Sequence, residues 1–412
     1  MHTSLHTRRA VTASALLGAA ALWAGGGGTE AFARTGGARA ADGLVLRLPA
    51  PTGPYRTGVT TLYLVDRSRR DPWTPAIPVR EVMVTVHYPA RAVQGRPLAR
   101  QMTRGAARLF GQIDAAVHRL PPAGVDWAAT TTHSHRNAPV RAGRWPVLLY
   151  SPGGGDPRTL GTGLAEELAA HGHVVVTVDH PGDTSEVEFP VAMRGRERVR
   201  ETVFRADPRL DARQFRTVID TRVADVRFVL DRLEEWAAGG SPDAAGRAVP
   251  EGLGRALDLR RVGLYGHSAG GTTAALAMDE DRRVAVAVNL EGFLDEAPPA
   301  PGREGRLFPV ARHGTDRPLL LVGTDGFPGR TDLERAWSAV LARSRGRARR
   351  VGVDDAAHWV FTDYAAMAPQ LQAAGLMPAA DRLALVGGIG PDVAVPTVRH
   401  HVRAFFARHL PA

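Results

Sequence analysis

From residue 58 onward the chain alternates two patterns: short β-rich runs, and stretches whose apolar residues recur at three- and four-residue spacing. The β-rich runs fall at 59–64, 81–88, 146–150, 174–178, 261–265, 284–290, 318–322 and 349–353. Several are continuous rather than alternating. Val174-Val175-Val176-Thr177-Val178 is the plainest case, and such a run suits a strand covered on both faces. Helical spacing is clearest over 221–236, where Val223, Val226, Val229, Leu230 and Leu233 share one side. Strands alternating with crossover helices predict an α/β fold, with one mostly parallel eight-stranded sheet and helices on both faces.

Two segments break the rhythm. Residues 91–143 hold a helix-like piece over 98–120 and then a stretch rich in Thr, His and Pro, while 181–215 are polar and rich in arginine. Both read as insertions in a domain spanning 41–412. Insertions at such places either cover a site or decorate the surface.

The first forty residues stand apart. Arg8-Arg9 precede an apolar run from Val11 to Ala24, a glycine tract, and small residues at Ala31-Phe32-Ala33 and Ala38-Arg39-Ala40. That order is an export signal, and the paired arginines match the twin-arginine type. The apolar run falls short of the roughly 18 residues that span a bilayer. The expectation is a secreted protein.

Composition removes several chemistries. With no cysteine there is no thiol nucleophile, thiolate metal site or disulfide. The formal net charge is +10, and Arg8, Arg9, Arg34 and Arg39 against Glu30 account for three of it, leaving about +7 on the mature chain. Every basic residue counted is arginine. Clusters at 194–205 and 343–350 read as a solvated face or as an attraction to an anionic membrane surface. Aromatic residues are not regularly interleaved with these arginines, so nucleic acid is not an expected partner.

The strongest chemical signal is Gly266-His267-Ser268-Ala269-Gly270, preceded by a β-rich run and followed by a helix-compatible stretch. A serine on a tight strand–turn–helix elbow needs glycines two residues to either side, because side chains there would collide. Ser268 is the candidate nucleophile. Its hydroxyl needs a base, and His358, in the loop after the last β-rich run, is in the expected place. The paired histidines His133/His135 and His400/His401 lack carboxylates at ligand spacing, so no metal is expected. A carboxylate must then orient the imidazole. Glu291 and Asp325 each end a β-rich run and either can serve; Asp295 is a third, weaker candidate. The oxyanion needs two backbone N–H donors. Ala269 supplies one, and the glycine-rich turn Ser151-Pro152-Gly153-Gly154-Gly155-Asp156 can present the other. A phosphate-cradling loop is excluded by the absence of lysine.

With these residues in place the chain resembles the plasma-type platelet-activating-factor acetylhydrolase family, bacterial esterase and lipase branch. The resemblance rests on Leu48–Tyr55, Arg80-Glu81-Val82-Met83-Val84, Tyr88-Pro89, Tyr150-Ser151-Pro152-Gly153-Gly154, Gly266–Gly271 and His358-Trp359-Val360-Phe361-Thr362-Asp363. It implies an α/β-hydrolase without cofactor or metal, acting on small-molecule or lipid esters, short acyl chains and phospholipid sn-2 groups among them. It also implies Ser268 as nucleophile, His358 as base, and Gly154 and Ala269 as oxyanion donors. The family's acid falls on Glu291, where aspartate is usual, which leaves Asp325 as the alternative. Pro152 stands where animal members carry histidine. The same residues could cleave polyesters or peptides, or the chain could be a non-catalytic lipid-binding member of the fold.

Overall fold

The computed structural model describes residues 43–300 and 302–411; the expected export signal lies outside them. Twelve strands occur in chain order: β1 (Thr57–Asp66), β2 (Arg80–Pro89), β3 (Leu98–Arg100), β4 (Thr131–Arg136), β5 (Trp145–Ser151), β6 (Val174–Val178), β7 (Glu186–Glu188), β8 (Val199–Glu201), β9 (Leu257–His267), β10 (Val284–Leu290), β11 (Leu319–Thr324) and β12 (Ala348–Val353). Ten of them form one sheet in the order β12-β11-β10-β9-β5-β6-β2-β1-β4-β3. From β12 to β6 every pairing is parallel, and β2 runs antiparallel to both β6 and β1.

All eight runs read from the sequence are strands of this sheet. It is two strands wider than expected, because the 91–143 segment adds β3 and β4 at one edge. The helix expected over 98–120 is shorter for the same reason. Leu98 and Arg100 pair with His135 and Thr131, and the helix runs Arg104–His118. Its start is set by Thr103, whose hydroxyl accepts from the Ala106 N–H at 3.3 Å.

Every residue of β6 is buried. On one face Val175 joins Leu148 and Tyr265 under helices Thr162–Ala170 and Pro391–His409. On the other Val174, Val176 and Val178 belong to the larger core cluster, to which helices Ala212–Ala237, Ala269–Glu280 and Arg330–Arg343 also contribute. Burying each such valine stabilises the fold by about 1.5–3 kcal/mol. The parallel strands β5, β9, β10 and β11 thereby end side by side, each followed by a turn that carries chemistry.

The 181–215 insertion folds as the β7–β8 ribbon and is held by charge. Arg196 lies 2.6 Å from Glu81, and Arg200 lies 2.7 Å from Asp71, which also meets Arg80. Arg196 and Arg200 are buried, while Arg194, Arg198 and Arg205 are exposed. This arginine run is therefore partly interior, where a solvated face was one expectation. In the second run Arg343, Arg345, Arg347 and Arg349 are exposed, and Arg350 pairs with Glu334. Among the described residues no helix is long and apolar enough to cross a membrane.

Candidate active site

Strand β9 delivers Ser268 into helix Ala269–Glu280 with φ 52° and ψ −120°, backbone that a non-glycine residue adopts only when its surroundings impose it. Close packing imposes it. A Cβ on Gly270 would lie 1.9 Å from the Ser151 carbonyl oxygen, and one on Gly266 would lie 2.2 Å from the Gly270 backbone. The Ser268 N–H donates to Leu290 O at 2.8 Å, so the turn is also tied to the neighbouring strand. Ser268 is partly exposed, and among the described residues its hydroxyl makes no hydrogen bond.

Glu291 follows β10 directly and is fully buried, with φ 60°. Its Oε2 lies 2.8 Å from His358 Nδ1. Its Oε1 accepts from both the N–H and the hydroxyl of Thr324 at the end of β11. One carboxylate oxygen is thus anchored to the next strand while the other faces the imidazole. Phe327 stacks on the ring with centroids 4.5 Å apart, and Trp359 meets it edge-on at 4.9 Å.

Asp325 occupies a different place. Its two oxygens accept the N–H groups of Asp355 and Ala356 at 3.0 and 3.1 Å, which holds its carboxyl below the usual range. It braces the loop leading to His358 rather than the ring. Asp295 is bound to Arg209 and Arg335. Asp363, at the end of the His358 segment, accepts from Gly163 N–H and Gln101 Nε2. Burial pushes it up to about 8, and it anchors the segment through these two bonds.

The turn after β5 brings Gly154 beside the elbow: a Cβ there would sit 3.7 Å from Ala269 Cβ. Among the described residues neither the Gly154 nor the Ala269 N–H donates a hydrogen bond. Buried Arg222, on helix Ala212–Ala237, fixes this turn. It donates to Pro152 O at 2.6 Å and Gly153 O at 2.8 Å, and pairs with Asp183 at 2.5 Å. Asp183 in turn accepts from Gly155 N–H at 3.0 Å. A second chain runs from Ser151 through His180 to Asp225 and Arg80. The arrangement offers a hydroxyl, an imidazole oriented by a carboxylate, and two free amides, which together suit acyl transfer.

Sequence reading missed Arg222, His180, Asp183 and Asp156. Asp156 lies in the turn already singled out; the others carry no local signal. Of the remaining histidines, His133 and His135 contact the carbonyls of Leu48 and Arg96, and His400 and His401 lie on the terminal helix. None joins the site.

The family described as "Platelet-activating factor acetylhydrolase, isoform II" matches residues 46–411. A "Probable 1-alkyl-2-acetylglycerophosphocholine esterase" of Arthroderma benhamiae is 26% identical over 385 residues, 87% of each chain. A "Platelet-activating factor acetylhydrolase" of Cavia porcellus is 22% identical over 336 residues, 75% of this chain and 65% of that one. Among solved structures, a ferulic acid esterase from Streptomyces cinnamoneus superposes with a TM-score of 0.69 at 30% identity, covering 89% of this chain and 94% of that one.

Proposed function

The chain belongs to the platelet-activating factor acetylhydrolase, isoform II, family and is a carboxylic ester hydrolase, and from that premise we propose that it cleaves short acyl esters, phospholipid sn-2 acyl groups among them, through an acyl intermediate on Ser268. Ser268 Oγ attacks the ester carbonyl as His358 Nε2 takes its proton. Glu291 holds Nδ1–H and balances the imidazolium charge. The N–H groups of Gly154 and Ala269 donate to the oxyanion, and the helix that starts at Ala269 adds its positive end. His358 returns the proton to the leaving alcohol, then activates a water that releases the acid. The observation that carries this reading is the 2.8 Å contact of Glu291 with His358, next to a strained, partly exposed serine.

A second reading of the substrate is an aromatic acyl ester of hydroxycinnamate type. It draws on the ferulic acid esterase likeness and on Phe327 and Trp359 against His358. Export by the twin-arginine route completes the proposal and draws on Arg8-Arg9 and the apolar run behind them.

Hydrolysis of p-nitrophenyl acetate, butyrate and palmitate and of methyl ferulate, with Ser268→Ala alongside, tests the reading. Acetate preferred and lost in the variant supports it; ferulate preferred supports the second reading. If no ester is cleaved and a serine-directed phosphonate leaves Ser268 unlabelled, the chain is a lipid-binding member of the fold. Turnover of amides or polyesters above small esters overturns the substrate assignment. Retention of an Arg8→Lys, Arg9→Lys chain inside the cell tests the route.

A further inference from the structure

Behind the oxyanion turn lies a group of buried polar side chains that the ester chemistry does not use. Asp114 and His118 sit one helical turn apart at the end of helix Arg104–His118, and Asp156 closes the turn that carries Gly154. All three are buried, and one ligand-type atom from each lies within 4.8 Å of the others. His118 Nε2 stands 3.4 Å from Asp156 Oδ1 and 3.7 Å from Asp114 Oδ1, beyond ordinary hydrogen-bond length.

The unpartnered atoms point to an occupant. Asp156 is 2% exposed, yet among the described residues neither of its carboxylate oxygens has a hydrogen-bond partner, and Asp114 Oδ2 has none. Leaving a carboxylate buried and unsatisfied costs several kcal/mol, so such a group is normally paired or bound to a metal. His267 sharpens the point. Its Nε2 faces the His358 carbonyl oxygen at 2.9 Å, and a carbonyl only accepts, so Nε2 bears the proton. In the singly protonated ring, Nδ1 then turns a lone pair toward Asp156 Oδ2 at 3.4 Å. The lone pair of His267 Nδ1 thus faces those of Asp156, an arrangement that a positive charge resolves.

We propose that Asp114, His118 and Asp156 form a divalent-cation site of zinc type. Zinc bonds of about 2.0–2.1 Å in a tetrahedron give ligand–ligand edges of about 3.3–3.4 Å, and the His118–Asp156 edge is 3.4 Å. Two oxygens and one imidazole nitrogen are ligands that zinc accepts, and a water would take the fourth position. The cation joins the 91–143 insertion to the turn that presents the Gly154 amide. It is a positioning element, distinct from Ser268, His358 and Glu291.

Zinc alone is the probe. The chelator-treated chain is titrated with zinc by calorimetry and with cobalt(II) by visible absorption, beside folded Asp114→Asn and His118→Gln variants. The expected result is one zinc per chain, tetrahedral cobalt bands, a zinc-dependent rise in Tm, and loss of all three in both variants. Cobalt should also quench Trp359, whose ring lies 4.7 Å from that of His118, and Trp359→Phe should remove the quenched component. That readout serves if the ligand variants do not fold. A folded wild-type chain that takes up no zinc overturns the proposal and leaves a protonated His–Asp pair. Binding that is unchanged in both variants, or cobalt that spares Trp359, overturns it as well. None of these readouts depends on which ester is cleaved.

Discussion

His267 Nε2 donates to the backbone carbonyl of His358 at 2.9 Å, and the two rings lie 4.5 Å apart. The residue before Ser268 thus grips the loop that carries His358, and one contact ties the two segments together across 91 residues of sequence. His267→Phe keeps the ring and removes the donor. A hydrogen bond of about 0.5–1.5 kcal/mol lost from the positioned state corresponds to a fall in kcat of up to about tenfold, with KM little changed. Steady-state kinetics on p-nitrophenyl acetate measures it, and an unaltered kcat would show that the loop holds its place without this bond.

Glu291 and Asp325 are separated by what they touch. Glu291→Gln should lower kcat by about 10⁴, the loss seen when a triad acid no longer selects the imidazole tautomer. Asp325→Asn weakens only the brace on Asp355 and Ala356, and should cost less than about tenfold. The opposite ranking would move the acid to Asp325.

Arg222 is fully buried and bound to Asp183, Pro152 and Gly153. Arg222→Met leaves Asp183 without its partner, which should destabilise the fold by about 3–5 kcal/mol. Urea unfolding should show the lower midpoint, and kcat should fall because the Gly154 turn loses its clamp. A midpoint equal to wild type would mean that Asp183 finds another partner.

Acid sensitivity should come from buried histidines. Burial, with Arg158 nearby, holds His87 down to about 3; burial holds His173 to about 4, and burial with Arg222 nearby does the same for His180. All three are neutral in the folded chain, whereas unfolded histidine takes a proton near pH 6.5. The unfolded chain therefore binds more protons below that pH. Stability contributed by neutral burial is whole above about pH 7 and falls as pH drops toward 4, by at most about 1.4 kcal/mol per pH unit for each histidine. Unfolding midpoints between pH 7 and 4.5 should trace this slope, and His87→Gln should flatten it. A slope that His87→Gln leaves unchanged would assign the acid loss to other groups.

The sheet and the elbow were legible because their causes are local. Val174–Val178 declares its burial in five residues, and the crowding that demands Gly266 and Gly270 acts within the turn itself. The choice of acid was not legible. Glu291 and Asp325 end adjacent parallel strands, registered through Leu290 and Val322, and only the path of the His358 loop decides which faces the ring. Arg222, His180 and Asp156 gain meaning from partners tens of residues away, which no spacing rule encodes. The short strands β3 and β4 escaped for another reason: three residues, or six polar ones, near a sheet edge carry little hydrophobic pattern.

The ion pairs that hold the 181–215 insertion bear on how the enzyme meets aggregated substrate. Arg196 on Glu81 and Arg200 on Asp71 are buried, and exposing either partner alone would leave the other charge buried and unpaired, at a cost of about 3–5 kcal/mol. For a lipid ester, the expectation is that an oil–water boundary meets a segment held in place by these pairs. Turnover should rise smoothly with ester concentration through the onset of micelles, without the sudden gain that marks interfacial activation.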